Sequence, residues 1–291
     1  MEQIINDLDT PKKPITHLSL CTGYEGIGEG LRNIFPNLRE IAYLEREGYA
    51  IANLVAKMEE GELVAAPIYT DVKTFPYRRF LNKVSILSGG FPCQPFSQVT
   101  KDRKSTEDER HLFPYILKGI EECQPELVFL ENVQGIISAK TADGEPVLKY
   151  VLRSLEEVGY KTTAGIFSAR EINAPHLRKR VFILSHNKSF RCTGWQDKDH
   201  NNRWWFQELQ SNQQSILWSE VERCSGDNGK YRFPEKPNKS QHPWEEPRVK
   251  PKLGRTTNGF DSRLDRLRLL GNGVVPATAE RAFRVLSSRL I

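Results

Sequence analysis

Short apolar runs, each closed by a residue that can do chemistry, constrain the fold of this chain more than any other feature. Residues 84–87 are apolar apart from Ser85, and 127–130 read Leu-Val-Phe-Leu. Runs of this length, bounded by turn residues and almost wholly apolar, read as strands buried on both faces of a parallel sheet. Residues 111–123, between them, carry a helical pattern, so the stretch forms one strand–helix–strand unit, and such crossovers are almost always right-handed. If the two strands are neighbours, whatever closes them shares one crevice at their carboxyl ends. The first run leads into Gly89-Gly90-Phe91-Pro92-Cys93-Gln94-Pro95-Phe96-Ser97, and the second ends at Glu131-Asn132.

The same rhythm extends in both directions. Strands are expected at 17–20, 41–44 and 68–69, with a helix over 49–58 between the last two. A helix over 147–158 then precedes extended segments at 162–167 and 181–185. Alternation of this kind predicts an α/β fold built on a doubly wound sheet. After Asn187 the texture changes: up to Gly254 apolar periodicity fades, and Trp195, Trp204, Trp205, Trp218 and Trp244 sit among Asn, Gln, Lys and Pro. Regular pattern returns at 263–270 and 277–290. The expected organisation is a domain of residues 1–186 plus 263–291, interrupted by a small irregular domain, 187–262; a chain of 291 residues can bury one large core and a smaller lobe.

Composition excludes several classes. Five cysteines, an odd number with no C-x-x-C pair, argue against a disulfide framework and against a zinc site. The opening residues lack the basic-then-apolar order of a secretion signal, and no run approaches the roughly 18 apolar residues of a membrane span. A soluble protein of a reducing compartment is the plain expectation. Charge is unevenly spread: residues 1–186 hold 23 Lys/Arg against 25 Asp/Glu, whereas 187–291 hold 19 against 12. A basic C-terminal third suits a polyanion-binding surface and equally a solvated basic face.

The strand ends carry the chemistry. Two glycines release the backbone before Cys93, and Pro92 and Pro95 stiffen its loop, which suits a nucleophile at a strand's carboxyl end. A small buried cysteine beside a tight turn is the alternative. Glu131 reads as a general acid paired with that thiol, or as a surface carboxylate. Gly23-x-x-Gly26-x-Gly28 after the first strand is not the dinucleotide fingerprint, yet glycines there admit a ligand to the backbone and the next helix start. Glu45, closing the second strand, suits a ribose hydroxyl pair, and Asp71 could accept a hydrogen bond from an adenine amino group. With no phosphate-holding residues, a nucleoside-type cofactor such as S-adenosylmethionine fits better than NAD.

These residues, in this order, resemble the DNA cytosine-C5 methyltransferases of bacterial and phage type, over nearly the whole chain. Residues 18–26 resemble the first cofactor motif, Glu45 the ribose-binding acid and Asp71-Val72 the adenine-contacting motif. Gly90 to Ser97 carries the Pro-Cys nucleophile, Glu131-Asn132-Val133 the Glu-Asn-Val acid, and His176-Leu177-Arg178-Lys179-Arg180 the Gln-x-Arg-x-Arg motif. Residues 263–270 and Gly271-Asn272-Gly273-Val274-Val275-Pro276 resemble the last two motifs. The first motif departs from Asp-Leu-Phe-Ala-Gly-x-Gly-Gly: Ser19, Cys21 and Glu25 stand where the family has its acid, the Phe and one Gly. His176 replaces a glutamine, and Gly273 stands where Ser is often found.

The resemblance implies a Rossmann-like S-adenosylmethionine-dependent methyltransferase domain with a small irregular target-recognition domain. It implies Cys93, Glu131, Arg178 and Arg180 as catalytic residues and no metal. Cofactor contacts would come from Cys21, Thr22, Gly23, Tyr24, Gly26, Glu45, Arg46, Asp71, Val72, Gly90, Pro92, Asn272 and Val274, and DNA contacts from Gln94, Ser97, Lys101 and Arg103. In an extended segment Arg178 and Arg180 point to one side, so both could face the reacting base. Residues 97–111 read as a loop that closes over a flipped base, or as a solvated surface loop. The tryptophans of the irregular region read as its core or as base-stacking platforms. Double-stranded DNA as partner, a cognate restriction endonuclease, a monomeric state and a cytoplasmic location in a bacterial or phage-infected cell are further implications. A tRNA-cytosine methyltransferase and a catalytically idle DNA-binding relative are the alternative functions.

Overall fold

In the computed structural model, residues 14–92, 112–189, 240–243 and 268–290 are described. Seven strands form one sheet among them: β1 (Ile15–Leu20), β2 (Leu38–Leu44), β3 (Ile68–Tyr69), β4 (Ile86–Gly90), β5 (Leu127–Val133), β6 (Tyr160–Ser168) and β7 (Lys179–Asn187). Their order is β3-β2-β1-β4-β5-β7-β6. The first five run parallel, whereas β7 is antiparallel to both β5 and β6. Helices α1 (Gly26–Arg32), α2 (Gly48–Glu59), α3 (Phe113–Cys123), α4 (Val147–Glu157) and α5 (Pro276–Leu290) accompany the sheet.

The continuous apolar runs arise because both sheet faces are covered. Successive strand residues point to opposite sides, so Leu87, Val128, Leu130 and Ile183 pack with Ile116 and Ile120 of α3 and Val151 and Leu155 of α4. Ile86, Leu127, Phe129, Phe182 and Leu184 pack the other way, with Leu31 of α1 and with Ala279, Ala282 and Phe283 of α5. Phe129 lies parallel to Phe182 at 5.4 Å and meets the Phe283 ring edge-on at 5.3 Å. Aromatic pairs in such offset and T-shaped arrangements contribute beyond their buried area. The C-terminal helix, whose pattern returns after the irregular region, thus completes the layer begun by α1.

Two details depart from the expected boundaries. The fourth strand begins at Ile86, not at Val84, and runs through both glycines, because Leu20 pairs with Gly89 and Glu131 with Gly90. Gly89 and Gly90 therefore belong to the ladder rather than to the loop. In β2 the register against β1 passes from His17↔Glu40 to Leu18↔Ala42, leaving Ile41 as an extra residue. This bulge keeps Glu40 and Tyr43 on the same side as His17 and Ser19, which a regular two-residue period would not do.

Nearly all of 187–262 lies outside the described residues, and with it the expected domain boundaries. Among the described residues no helix is long and apolar enough to cross a membrane.

Candidate active site

Parallel strands end on the same side of a sheet, so the residues closing β1, β2, β3, β4 and β5 line one edge. Because β7 runs the other way, it is the start of β7 that reaches this edge. The register brings Gly90 opposite Glu131, and Val133 opposite Arg180. Two motif residues about fifty positions apart in sequence thereby become neighbours, and Arg180 Nε lies 2.9 Å from Glu131 Oε1. The contact is an ion pair whose N–H is not aligned on the oxygen, so Oε1 has no hydrogen-bond partner among the described residues. Glu131 is 5% exposed. Burial pushes its carboxyl up to about 7, against the opposing pull of Arg180 and Arg178. A carboxyl poised in this range can hold or deliver a proton near neutral pH. A Cβ at position 90 would stand 3.1 Å from Glu131 Oε2, so glycine lets the carboxyl lie against the β4 backbone.

Asn132 ties this acid to the Pro-Cys loop. Its Nδ2 donates to the Phe91 carbonyl at 2.9 Å, while its Oδ1 accepts from the Val133 amide at 2.8 Å. The buried amide thus orders the backbone one residue before Pro92. Sequence reading named Asn132 only as part of a motif, although a buried Asn beside a strand end is a recognisable signal for such a tether. Cys93, Gln94, Ser97, Lys101 and Arg103 lie outside the described residues; Pro92, just before the cysteine, is exposed at the edge.

The glycine loop after β1 is held mainly by Glu45. Glu45 Oε2 accepts from the Gly23 amide at 2.7 Å, and Oε1 accepts from the Arg46 and Glu47 amides at 2.8 Å each. Thr22 adds its amide and its hydroxyl to the Leu44 carbonyl, at 3.1 and 3.3 Å. Within this loop Cys21, Gly23 and Glu25 all have left-handed backbones, with φ of 49°, 59° and 69°. For the two residues other than glycine this conformation costs about 1 kcal/mol each. Burial, with a smaller contribution from Glu45, pushes the Cys21 thiol up to about 12, so it stays protonated. At the end of β3, Asp71 accepts from the Lys73 amide at 2.8 Å and shapes its own turn, while Val72 is buried beneath it.

A segment from the far end of the chain closes this loop. The Tyr24 hydroxyl donates to the Val274 carbonyl, and Arg178 Nη2 donates to the carbonyls of Gly273 and of Gly271, the latter at 2.8 Å. A Cβ on Gly26 would stand 2.1 Å from the Val274 carbonyl oxygen, and one on Gly273 would stand 1.7 Å from the Tyr24 ring. Gly26 and Arg178 therefore contact the 271–274 strap, and Arg178 does not reach Glu131 as Arg180 does. Asn272 is exposed on the strap, whereas Val274 is buried.

A model of the C-5 cytosine-specific DNA methylase family matches residues 15–254. The chain belongs to this family. The Type II methyltransferase M.NlaX of Neisseria lactamica is 32% identical over 178 residues, covering 60% of this chain and 54% of that protein. The orphan methyltransferase M.Rho11sI of Bacillus phage rho11s is 31% identical over 168 residues, covering 57% of this chain and 32% of that protein. The chain thus spans about half or less of the length of these two relatives. The structure of S. pombe Dnmt2 methyltransferase, 23% identical, covers 61% of this chain and 52% of its own with a TM-score of 0.47. Within the family, the chain's departures in the first motif fall at the end of β1 (Ser19) and in the loop that follows it (Cys21 and Glu25), and Glu131 of the Glu-Asn-Val residues meets Arg180 at the β5–β7 edge.

Proposed function

We propose that this protein transfers a methyl group from S-adenosylmethionine to C5 of a cytosine flipped out of duplex DNA, through a covalent adduct with Cys93. The observation that carries the reading is the pair of buried Glu131 and half-buried Arg180, tethered through Asn132 to the backbone entering Pro92 and Cys93. Cytosine C5 is a poor nucleophile, and an attack on C6 changes that. The Cys93 thiolate bonds to C6, and the displaced electron pair moves into the ring. Glu131 in its acid form protonates or holds N3, and Arg180 stabilises the exocyclic O2 as negative charge develops there. Arg178 would support this arrangement by fixing the strap beside the glycine loop. C5, made nucleophilic in this way, would take the methyl group from the sulfonium, with S-adenosylhomocysteine as the leaving group. Loss of the C5 proton to a base with expulsion of the Cys93 thiolate then restores the aromatic ring.

The residues at the first three strand ends fit a nucleoside with a sulfonium rather than a dinucleotide. Two carboxylates, Glu45 and Asp71, close β2 and β3, and the glycine loop carries no cationic side chain from Cys21 to Gly26. When bound, S-adenosylmethionine supplies the electrophilic methyl group. Flipping the base costs a few kcal/mol of lost stacking and pairing. In this reading Gln94, Ser97, Lys101 and Arg103 contact the DNA around the flipped base. Residues 187–262 read a short target, on the order of four to six base pairs, with Lys and Arg on phosphates and Asn, Gln and Arg on base edges. A role in restriction–modification or in protecting phage DNA draws support from the Type II and phage orphan relatives. A monomer acting in the cytoplasm, either alone or beside a separate cognate endonuclease, belongs to the same reading.

Transfer of labelled methyl to duplex DNA and to tRNA, with Cys93→Ala in parallel and base-resolution mapping of the product, tests this reading. Cys93-dependent 5-methylcytosine in DNA at one recurring sequence is the expected result. Label in tRNA alone would move the substrate to RNA, and binding of DNA without transfer would make the protein an idle relative.

A further inference from the structure

Two of the three departures in the first motif meet in one hydrogen bond. Ser19, at the position of the family's acid, donates its hydroxyl to Glu25 Oε2 at 2.7 Å, and Glu25 stands where the family has a glycine. Ser19 is 2% and Glu25 1% exposed, so the carboxyl is drawn back beneath the loop and sealed from water. There, His17 Nδ1 lies 3.6 Å from Glu25 Oε1 and 3.6 Å from Glu40 Oε1. His17 Nε2 is hydrogen-bonded to the Ser88 hydroxyl at 2.8 Å, and Arg32 donates to Glu40 Oε1 at 2.8 Å through Nη2. Four elements, β1, β2, β4 and α1, are joined by this cluster. A Cβ at Gly28 would stand 1.8 Å from Glu25 Oε1, so the helix that follows leaves room for the folded-back carboxyl.

His17, Glu25 and Glu40 also bring ligand-type atoms within 4.8 Å of one another. Charge balance favours a proton over a cation in their midst. With that proton on the Glu25 carboxyl, the Glu40 carboxylate and the Arg32 guanidinium sum to zero. A divalent cation in its place would leave net positive charge buried without a counter-ion, an arrangement proteins avoid. Burial also raises the Glu25 carboxyl above its ordinary range, with His17 opposing, which keeps the proton in the cluster.

The left-handed backbone of Glu25 needs a restraint that glycine would not. Its amide closes the turn onto the Thr22 carbonyl at 3.0 Å, and its carbonyl begins α1 by accepting from Glu29 at 2.9 Å. We infer that Glu25 is a positioning residue for the cofactor: its buried carboxyl supplies from the loop the acid that the family motif places on β1, and so holds residues 21–26 in their binding shape. The inference rests on the cofactor reading made above. Relative to the family motif the acid has moved from β1 into the loop, and its carboxyl reaches back to the β1 position through the Ser19 hydroxyl.

The test compares the parent with E25G, E25Q and S19D/E25G, by calorimetric binding of S-adenosylhomocysteine and by amide hydrogen exchange of residues 20–30 without ligand. E25G is expected to weaken binding by about tenfold and to speed exchange in the loop, since it removes a buried hydrogen-bonded anchor. E25Q retains an acceptor for Ser19 and is expected within about threefold of the parent. S19D/E25G, which restores the family's arrangement, is expected to recover both readouts to within about threefold, the signature of coupled positions. If residue 25 were only a turn residue, glycine would serve as well or better, and E25G would match the parent in both measurements. That result, or a double variant no better than E25G, overturns the inference. Absence of binding by the parent would instead overturn the cofactor reading, and exchange, read without ligand, keeps the two failures apart.

Discussion

At Glu131 burial and charge act in opposite directions, and burial prevails, placing the carboxyl at about 7. A carboxyl raised in the folded state adds stability that is fully present below its ordinary range and is lost as pH rises through about 7. Replacing Glu131 by Gln removes that dependence. Denaturation at pH 5 and at pH 8 should therefore show the stability difference shifting in favour of E131Q by about 2 kcal/mol over that interval. If the acid form does the chemistry, kcat of the parent at saturating substrate should fall as pH rises through the same range, and E131Q should lose transfer. Arg180→Ala should lower kcat by about 10²-fold with less effect on the cofactor KM, because its guanidinium lies against Glu131 rather than the glycine loop. Sequence alone showed that a carboxylate closes a buried strand. That its carboxyl is desolvated yet close to an arginine depends on the antiparallel register of β7, which no local pattern announces.

The glycines of α1 show how one helix serves two neighbours. Gly26 admits the Val274 carbonyl, whereas Gly30 admits the Pro276 carbonyl at 2.5 Å and the Ala279 methyl at 3.0 Å from where its own Cβ would stand. Gly30→Ala should thus force α1 and α5 apart, costing about 1–3 kcal/mol in a denaturant titration while leaving the cofactor KM nearly unchanged. Arg178→Ala is expected to act the opposite way. Loss of its hydrogen bonds to the strap should cost about 1–2 kcal/mol locally, seen as faster exchange in 268–275 and a raised cofactor KM. At this scale sequence reading located the described helices α2, α3 and α4 and the strands to within a few residues, because apolar period and turn residues are local properties. It took the glycine series as space for a ligand. The structure gives part of that space to the protein's own C-terminal segment, a contact between residues some 250 positions apart.

The molecule as a whole divides its charge, with a net −2 over residues 1–186 and +7 over 187–291. If the basic third lies along DNA, affinity should fall with salt, with a slope of log K against log salt of about −4, equivalent to some four or five phosphates neutralised. A slope near zero in a titration with duplex DNA would count against that surface. Much of the candidate site was legible because the motif residues sit where apolar runs end, and an α/β sheet places such ends along one edge whatever the details of packing. The chain by itself determined the alternation, the burial of both sheet faces and the identity of the residues at the strand ends, since these follow from local periodicity and composition. Tertiary structure alone decided that β7 enters antiparallel between β5 and β6 and carries Arg180 to Glu131. It also decided that the 271–274 strap closes over Tyr24, and that the acid beneath the glycine loop comes from Glu25. Each of these is a contact between distant segments, set by which surfaces can be buried together rather than by any pattern within one of them.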